Sequence, residues 1–536
     1  MATVPSTPLE RPLQRDGVFT GGLVLAFLIV GGFGMLHHEL WSDEILAWIF
    51  ARDSASLDEL YRNLRYEAHP LLWYLGLYGI TPFTHNPAYM QVFHLGIATL
   101  AVAFFTHWAP FTRLQKILFA FSYFPLYEYG MLSRNYGLGM LFLFLFCMLF
   151  ETRKRSYLPL ALVLVLLANT SIYGLMLSFA LELTLVFEIF MERDISTLAL
   201  SRLTNVLSSG FIAGLGMVGS ALQMIRPFDP KAAAGWNTNN VLEVTPGLDP
   251  FFALKVFAAL WQSYVPIPNF STYQFWNTNF LYNNLALLKP LVLLLSLGLF
   301  LAAIMLFRRR PVVLFLYLLG TFEMLVFMYL KYYGSIRHFG HLFILFMVCL
   351  WLGSFYTPKE QTEGTFRKLI EQYKTRFITL ILSTQFIAGA IAYTIDLANP
   401  FSGGQAAANF IQSRHLEHTF IVASDLIGPP LSGYLDRKIY YPDSERLGTF
   451  VLVNRRYISN ETIATRGYQL ARERKTPVLL ILNKAMGKLP TKVSVGFQTS
   501  ELARFDRSII DDEQYFIYWL QPTPISRNSS MRHESN

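Results

Sequence analysis

Apolar runs and short polar turns alternate along most of this chain. A hydrocarbon core ~30 Å thick needs about 20 apolar helical residues per crossing. Runs of that kind fall near residues 19–36, 87–108, 114–129, 134–150, 157–173, 175–190, 205–222, 281–306, 311–330, 340–356 and 377–396. The pattern predicts eleven crossings, with the first run a retained signal anchor. Between the first two runs, "DEILAWIFARD" places Ile45, Trp48, Ile49 and Arg52 at helical spacing, which predicts an amphipathic helix on the outer surface. "HPLLWYLGLYGITPF" is short for a crossing and rich in interfacial aromatics, so a second surface helix is expected there.

After about Ala398 the pattern changes. "FSGGQAAANFIQSRH" reads as a soluble helix capped by Ser402, and "NETIATRGYQLARERK" as an amphipathic helix. "HTFIVASD", "TPVLLILN" and "QYFIYWLQ" read as strands. Strands alternating with helices imply a small α/β domain. The expected fold is therefore a mainly α, polytopic membrane protein followed by a small soluble α/β domain. The expected divisions are a membrane domain over 1–397, an α/β domain over 398–524 and a disordered tail over 525–536. Outer loops are expected at 37–86 and 223–280.

Composition strengthens the membrane reading: 53% of the 536 residues are hydrophobic and 15% charged, with a mean hydropathy of +0.36. The formal charge of +8 does not point to nucleic acid, because the basic residues sit in short clusters between apolar runs. Arg11 and Arg15, Arg113 and Lys116, Arg153 to Arg155, Arg193 and Arg202, Arg308 to Arg310, and the group from Lys359 to Arg376 fall on alternate connections. Positive residues are retained in the cytoplasm. The N-terminus is thus expected inside and the C-terminal domain outside. Cys147 and Cys349 each lie within an apolar run, without metal spacing or a disulfide framework.

Polar islands on the expected outer side carry the candidate chemistry. Asp43 and Glu44 stand at the lip of the first span, and "RYEAHPLLWY" follows with Arg65, Glu67 and His69. "SRNYG" holds Arg134 between apolar helices, where an arginine costs roughly 2.5 kcal/mol or more without a partner or wet cavity. "KYYGSIRHFGH" adds Lys331, Arg337, His338 and His341. The plain alternatives are solvated helix caps for the acids and snorkelling anchors for the bases. Taken together, carboxylates beside guanidinium groups suit an acceptor hydroxyl that loses a proton and a leaving group that carries phosphate.

The order of an N-terminal span, "WSDE", a surface-helix loop, "HPLLWY", "SRNYG", many spans and an outer C-terminal domain resembles the GT-C superfamily of glycosyltransferases. The branch it resembles contains the protein O-mannosyltransferases and the lipid A aminoarabinose transferase. The motifs cover Phe19 to Phe150; the remainder matches in topology. The resemblance implies a polyprenyl-phosphate sugar donor, a lipid, glycan or protein acceptor, and inverting transfer outside the membrane. It assigns the catalytic role to Asp43, supported by Glu44. Glu67 and His69 are then expected in the sugar pocket, and Arg134, Lys331, Arg337 and His338 on the donor phosphate. Two departures stand out. His69-Pro70 is followed by Leu71 and Leu72 in place of a further proline, and paired acidic metal motifs are missing. Metal-free catalysis is expected, with Asp43 and Glu44 able in principle to hold a divalent ion. The competing readings are a transporter or flippase of lipid-linked sugars and a non-catalytic membrane assembly protein.

Overall fold

The computed structural model describes residues 17–65, 67, 69–191, 200–225, 249–284, 286–356, 365–451, 458–487 and 494–523. The tail expected after Pro524, Arg11, Arg15, Arg193, Lys359 and residues 226–248 of the expected long outer loop lie outside them. Among the described residues nine helices are long and apolar enough to cross a membrane, so the protein is an integral, multi-pass membrane protein. They are Gly17–His37, Ala88–Trp108, Tyr136–Lys154, Ile172–Met191, Leu200–Gln223, Lys289–Phe307, Pro311–Leu330, Ile336–Phe355 and Tyr373–Ala398.

The other two expected crossings are less regular. Leu158–Ala168 is an eleven-residue helix. Residues 114–129 divide into a helix, Arg113–Ala120, and a π-helix, Tyr123–Met131. Gly130 belongs to the π-helix because a Cβ there would lie 2.4 Å from the carbonyl oxygen of Pro125. Wide turns of this type often mark functional sites.

The segment expected to lie on the outer surface is buried instead. Helix Ser42–Asp53, here the lip helix, buries Ser42 and every residue from Glu44 to Ala51. The spacing of Ile45, Trp48 and Ile49 picks out one apolar face, but Leu46, Ala47, Phe50 and Ala51 make the middle of the helix, between its charged ends, apolar on every side. A helix apolar all round is a buried helix. Its cover is the C-terminal domain: Gly433 approaches Ile45 so closely that a Cβ would lie 2.4 Å from Ile45 Cγ2. Phe450 meets Phe50 with ring centroids 4.6 Å apart. Leu72–Ile80 forms the second short helix where "HPLLWY" predicts one.

The C-terminal domain is a six-stranded mixed sheet. Its strands are β1 (Phe420–Ala423), β2 (Ile439–Tyr441), β3 (Arg446–Gly448), β4 (Val478–Leu482), β5 (Phe497–Phe505) and β6 (Tyr515–Pro522), in the order β3-β2-β1-β4-β6-β5. β1 runs parallel to β2 and β4, while β6 lies antiparallel to β4 and β5. Period-two alternation sends Ile421, Leu479, Ile481 and Ile517 to a core with helices Gly404–Ser413 and Gly428–Leu435. Val422, Leu480 and Tyr518 face helix Asn460–Arg474 on the other side. Ser402, the expected cap, lies one residue before the observed cap position, which Gly403 occupies; the Ser402 hydroxyl still accepts from Gly404 N at 3.1 Å.

Candidate active site

Three helix N-termini meet beneath the C-terminal domain. Asp43 and Glu44 occupy the first turn of the lip helix, where carboxylates complement the helix dipole. Arg134 stands just before helix Tyr136–Leu149, and Arg337 lies in the first turn of helix Ile336–Leu352. Cations at helix N-termini oppose the dipole, so both arginines need an anion nearby. Asp43 supplies one. Its Oδ2 is 3.5 Å from Arg134 Nη1 and 3.5 Å from Arg337 Nη2, and Arg134 Nη1 also donates to the Asp43 carbonyl at 2.6 Å.

Aromatic rings hold the guanidinium groups in place. Arg337 lies 5.1 Å from the Trp41 ring and 5.2 Å from the Trp276 ring, a cation–π pairing with two indoles. Those indoles meet edge to face at 4.9 Å, and Phe401 of the C-terminal segment closes against Trp276 at 5.3 Å. Trp276 Nε1 donates to Glu128 on the π-helix at 3.3 Å. Arg337 Nε and Nη1 are buried and meet no hydrogen-bond acceptor among the described residues. They are donors whose pairing an anion's oxygens would complete.

Glu44 is fully buried, and its carboxylate is occupied by the protein. Oε2 accepts from Trp41 N at 3.2 Å, and Oε1 accepts from Ser133 N. His38 Nε2 stands 3.2 Å from Oε2, and His38 Nδ1 stands 3.0 Å from Asp396 Oδ2. Burial alone would favour neutral His38, but Asp396 and Glu44 raise its pKa to about 10. Burial pushes neighbouring Glu39 up to about 7. From the C-terminal domain, Glu513 accepts from Ser42 N at 2.9 Å, and burial raises its pKa to about 8.

The remaining expected residues sit around this centre. Glu67 and His69 are half-buried, Glu67 within electrostatic range of Tyr74 and His69 within that of His338. Lys331 is the C-cap of helix Pro311–Leu330. His338 caps its own helix, Nδ1 accepting from Ser335 N at 2.9 Å, which leaves the Nε2 hydrogen facing Tyr136 Oη at 3.0 Å. Deeper, His341 stacks on Tyr173 at 4.6 Å. No group of three or more His, Cys, Asp or Glu side chains able to hold a metal occurs among the described residues.

No family model matches the chain, and no curated protein matches it. Among solved structures, the crystal structure of ArnT from Cupriavidus metallidurans bound to undecaprenyl phosphate is similar. The two share 12% identity and a TM-score of 0.47, over 94% of this chain and 98% of that one. A likeness at that level leaves this chain's chemistry to its own residues.

Several site residues escape the sequence patterns. Trp276 lies in an irregular segment between helices, and Glu128 is hidden inside an apolar run. Asp396 ends a span in what reads as an ordinary polar boundary, yet its partner His38 is 358 residues away. The signal within reach was His38 itself, a histidine adjoining both the end of a span and an acidic pair.

Proposed function

We propose that the protein transfers a sugar from a polyprenyl-phosphate donor to an acceptor hydroxyl on the extracytoplasmic face, with inversion at the anomeric carbon. The observation that carries this reading is the convergence of Arg134, Arg337 and two helix N-termini on the single carboxylate of Asp43. A phosphate leaving group and a proton-accepting carboxylate are needed side by side in such a transfer.

In the proposed reaction the acceptor oxygen attacks the anomeric carbon while the bond from that carbon to the phosphate oxygen breaks. The hydroxyl proton passes to Asp43. The electron pair leaves with the polyprenyl phosphate, whose growing charge is held by Arg134 and by the open Nε and Nη1 of Arg337. Asp43 is the more exposed partner, with 28% of its side chain accessible against 12% for Arg134 and 14% for Arg337. It therefore faces the acceptor side. Glu67 and His69 border the sugar, Lys331 adds positive charge to the rim, and His338 completes it as a neutral imidazole. The two guanidinium groups supply the charge that a divalent ion would otherwise bring to Asp43, so the proposed chemistry is metal-free.

The test is turnover by the purified protein in lipid nanodiscs with a panel of synthetic polyprenyl-phosphate hexoses and pentoses and hydroxyl acceptors, with and without a chelator. Chelator-insensitive release of polyprenyl phosphate together with glycosylated acceptor is expected. Sugar translocation without bond cleavage would replace the enzyme with a transporter.

A further inference from the structure

We propose that Glu44, with His38 and Asp396 behind it, is a positioning residue that fixes the spacing between the base Asp43 and the phosphate-holding Arg134. The inference rests on the function proposed above and gives Glu44 a task outside the chemistry.

The backbone contacts of Glu44 are specific to the two reacting groups. One carboxylate oxygen accepts from the N–H of Ser133, the residue before Arg134. The other accepts from the N–H of Trp41, two residues before Asp43. One buried side chain thus ties the segment carrying the base to the segment carrying the arginine. Arg134 itself also reaches the lip helix, donating to the Asp43 carbonyl at 2.6 Å, but that tie runs through the phosphate-holding side chain, whereas Glu44 joins the two backbones.

His38 and Asp396 hold this carboxylate still. Each nitrogen of His38 faces a carboxylate oxygen, and an ionised carboxylate can only accept. Both nitrogens therefore carry hydrogen, and His38 is a cation between two anions, Glu44 from the lip helix and Asp396 from the last span. Glu39 is the other carboxylate beside it, and the Phe401 ring covers it at 4.5 Å. Removing one partner from such a buried set leaves an uncompensated charge, whereas apolar packing would do the purely structural work at lower cost. Charge here provides exact placement.

Glu44→Gln tests the assignment. The amide keeps one acceptor oxygen and turns two donors toward groups that also donate, so one of the two backbone ties is lost. A misplacement near 1 Å in a reacting pair costs about 100-fold in rate. The expected result is a fall in kcat of about 10- to 100-fold. Equilibrium binding of polyprenyl phosphate and the KM for the sugar donor should stay within about threefold, a split that simple loss of folded protein would not produce. Because Glu44 acts through Asp43, Glu44→Gln should add nothing to the residual rate of Asp43→Asn.

Wild-type kcat in Glu44→Gln, alongside loss of activity in Asp43→Asn, overturns this inference alone. Full turnover in Asp43→Asn overturns it together with the proposed function. A further loss when the two changes are combined makes Glu44 a chemical participant and also overturns it. Should Glu44→Gln fail to fold, His38→Gln carries the same measurement with the same expected split. Failure of both to fold would reduce the network to a folding element and refute the proposal.

Discussion

Asp43 Oδ2 and Arg337 Nη2 lie 3.5 Å apart, although one belongs to the lip helix and the other to a membrane span far along the chain. The carboxylate proposed as base is thus paired with a guanidinium proposed for the donor phosphate. In the proposed reaction a phosphate arriving at Arg134 and at Nε and Nη1 of Arg337 shares these two cations with Asp43, which weakens their hold on the carboxylate and frees it toward the acceptor. Donor binding is therefore expected to precede productive acceptor binding. Initial-rate kinetics with a dead-end acceptor analogue should give inhibition uncompetitive with the donor; competitive inhibition against the donor would contradict the exchange.

Arg337 acts through a planar fork clasped by Trp41 and Trp276. A lysine supplies charge without the fork, so Arg337→Lys should retain part of the donor affinity and Arg337→Ala lose most of it. Removing a charged partner of a buried anion costs about 2 to 5 kcal/mol, well beyond tenfold in polyprenyl-phosphate binding. Trp276→Ala should weaken binding less, since it frees the guanidinium and Glu128 without removing charge. Titration of each variant in nanodiscs separates these cases, and unchanged affinity in Arg337→Ala would make this arginine an interfacial anchor.

The His38 network carries a pH signature. Its folded pKa, raised to about 10, lies above the ordinary value of about 6.5, so the folded state binds the proton more tightly than the unfolded one. The stabilisation is complete below about pH 6.5, erodes as pH rises, and is gone above about pH 10. Thermal unfolding in detergent should show wild type losing stability over that range relative to His38→Gln, which lacks the titration. Parallel curves for the two proteins would show that His38 is not charged in the folded state.

Contacts from the C-terminal domain hold the lip helix in place. Glu513→Gln keeps an oxygen to accept from Ser42 N and should stay close to wild type in turnover. Glu513→Ala leaves a buried N–H unpaired, a loss of about 1 to 3 kcal/mol, and should lower both the unfolding temperature and kcat. Overpacking the contact by Gly433→Val should act the same way, at a cost of about 1 to 3 kcal/mol. Normal kcat in both Glu513→Ala and Gly433→Val would detach the domain from the site.

Much of this fold can be read from the order of residues, because membrane helices and buried strands announce themselves locally. Ala88–Trp108 and Pro311–Leu330 are long apolar runs, and β4 is a short apolar run bounded by turn residues. The cover over the lip helix is not legible, because periodicity reports one apolar face and is silent about a domain arriving from some 390 residues away, as Tyr434 does in accepting from Leu40 N at 3.1 Å. β2 and β3 are three residues each, too short to alternate visibly. In the site, Asp43, Arg134 and Arg337 stood out because charge at the edge of hydrocarbon is costly. Trp276, Glu128 and Asp396 did not, because their meaning comes from partners that only folding brings near.

The most direct measurement is the turnover of Asp43→Asn with a polyprenyl-phosphate sugar that the wild type accepts. The substitution keeps the shape and removes the proton-accepting charge, and general-base catalysis contributes typically ~10² to 10⁴-fold. A fall in kcat of that size is expected, with normal amounts of folded protein in the membrane and retained binding of polyprenyl phosphate. Turnover within about twofold of wild type, far below what loss of a general base costs, would contradict the assignment of Asp43 as the base.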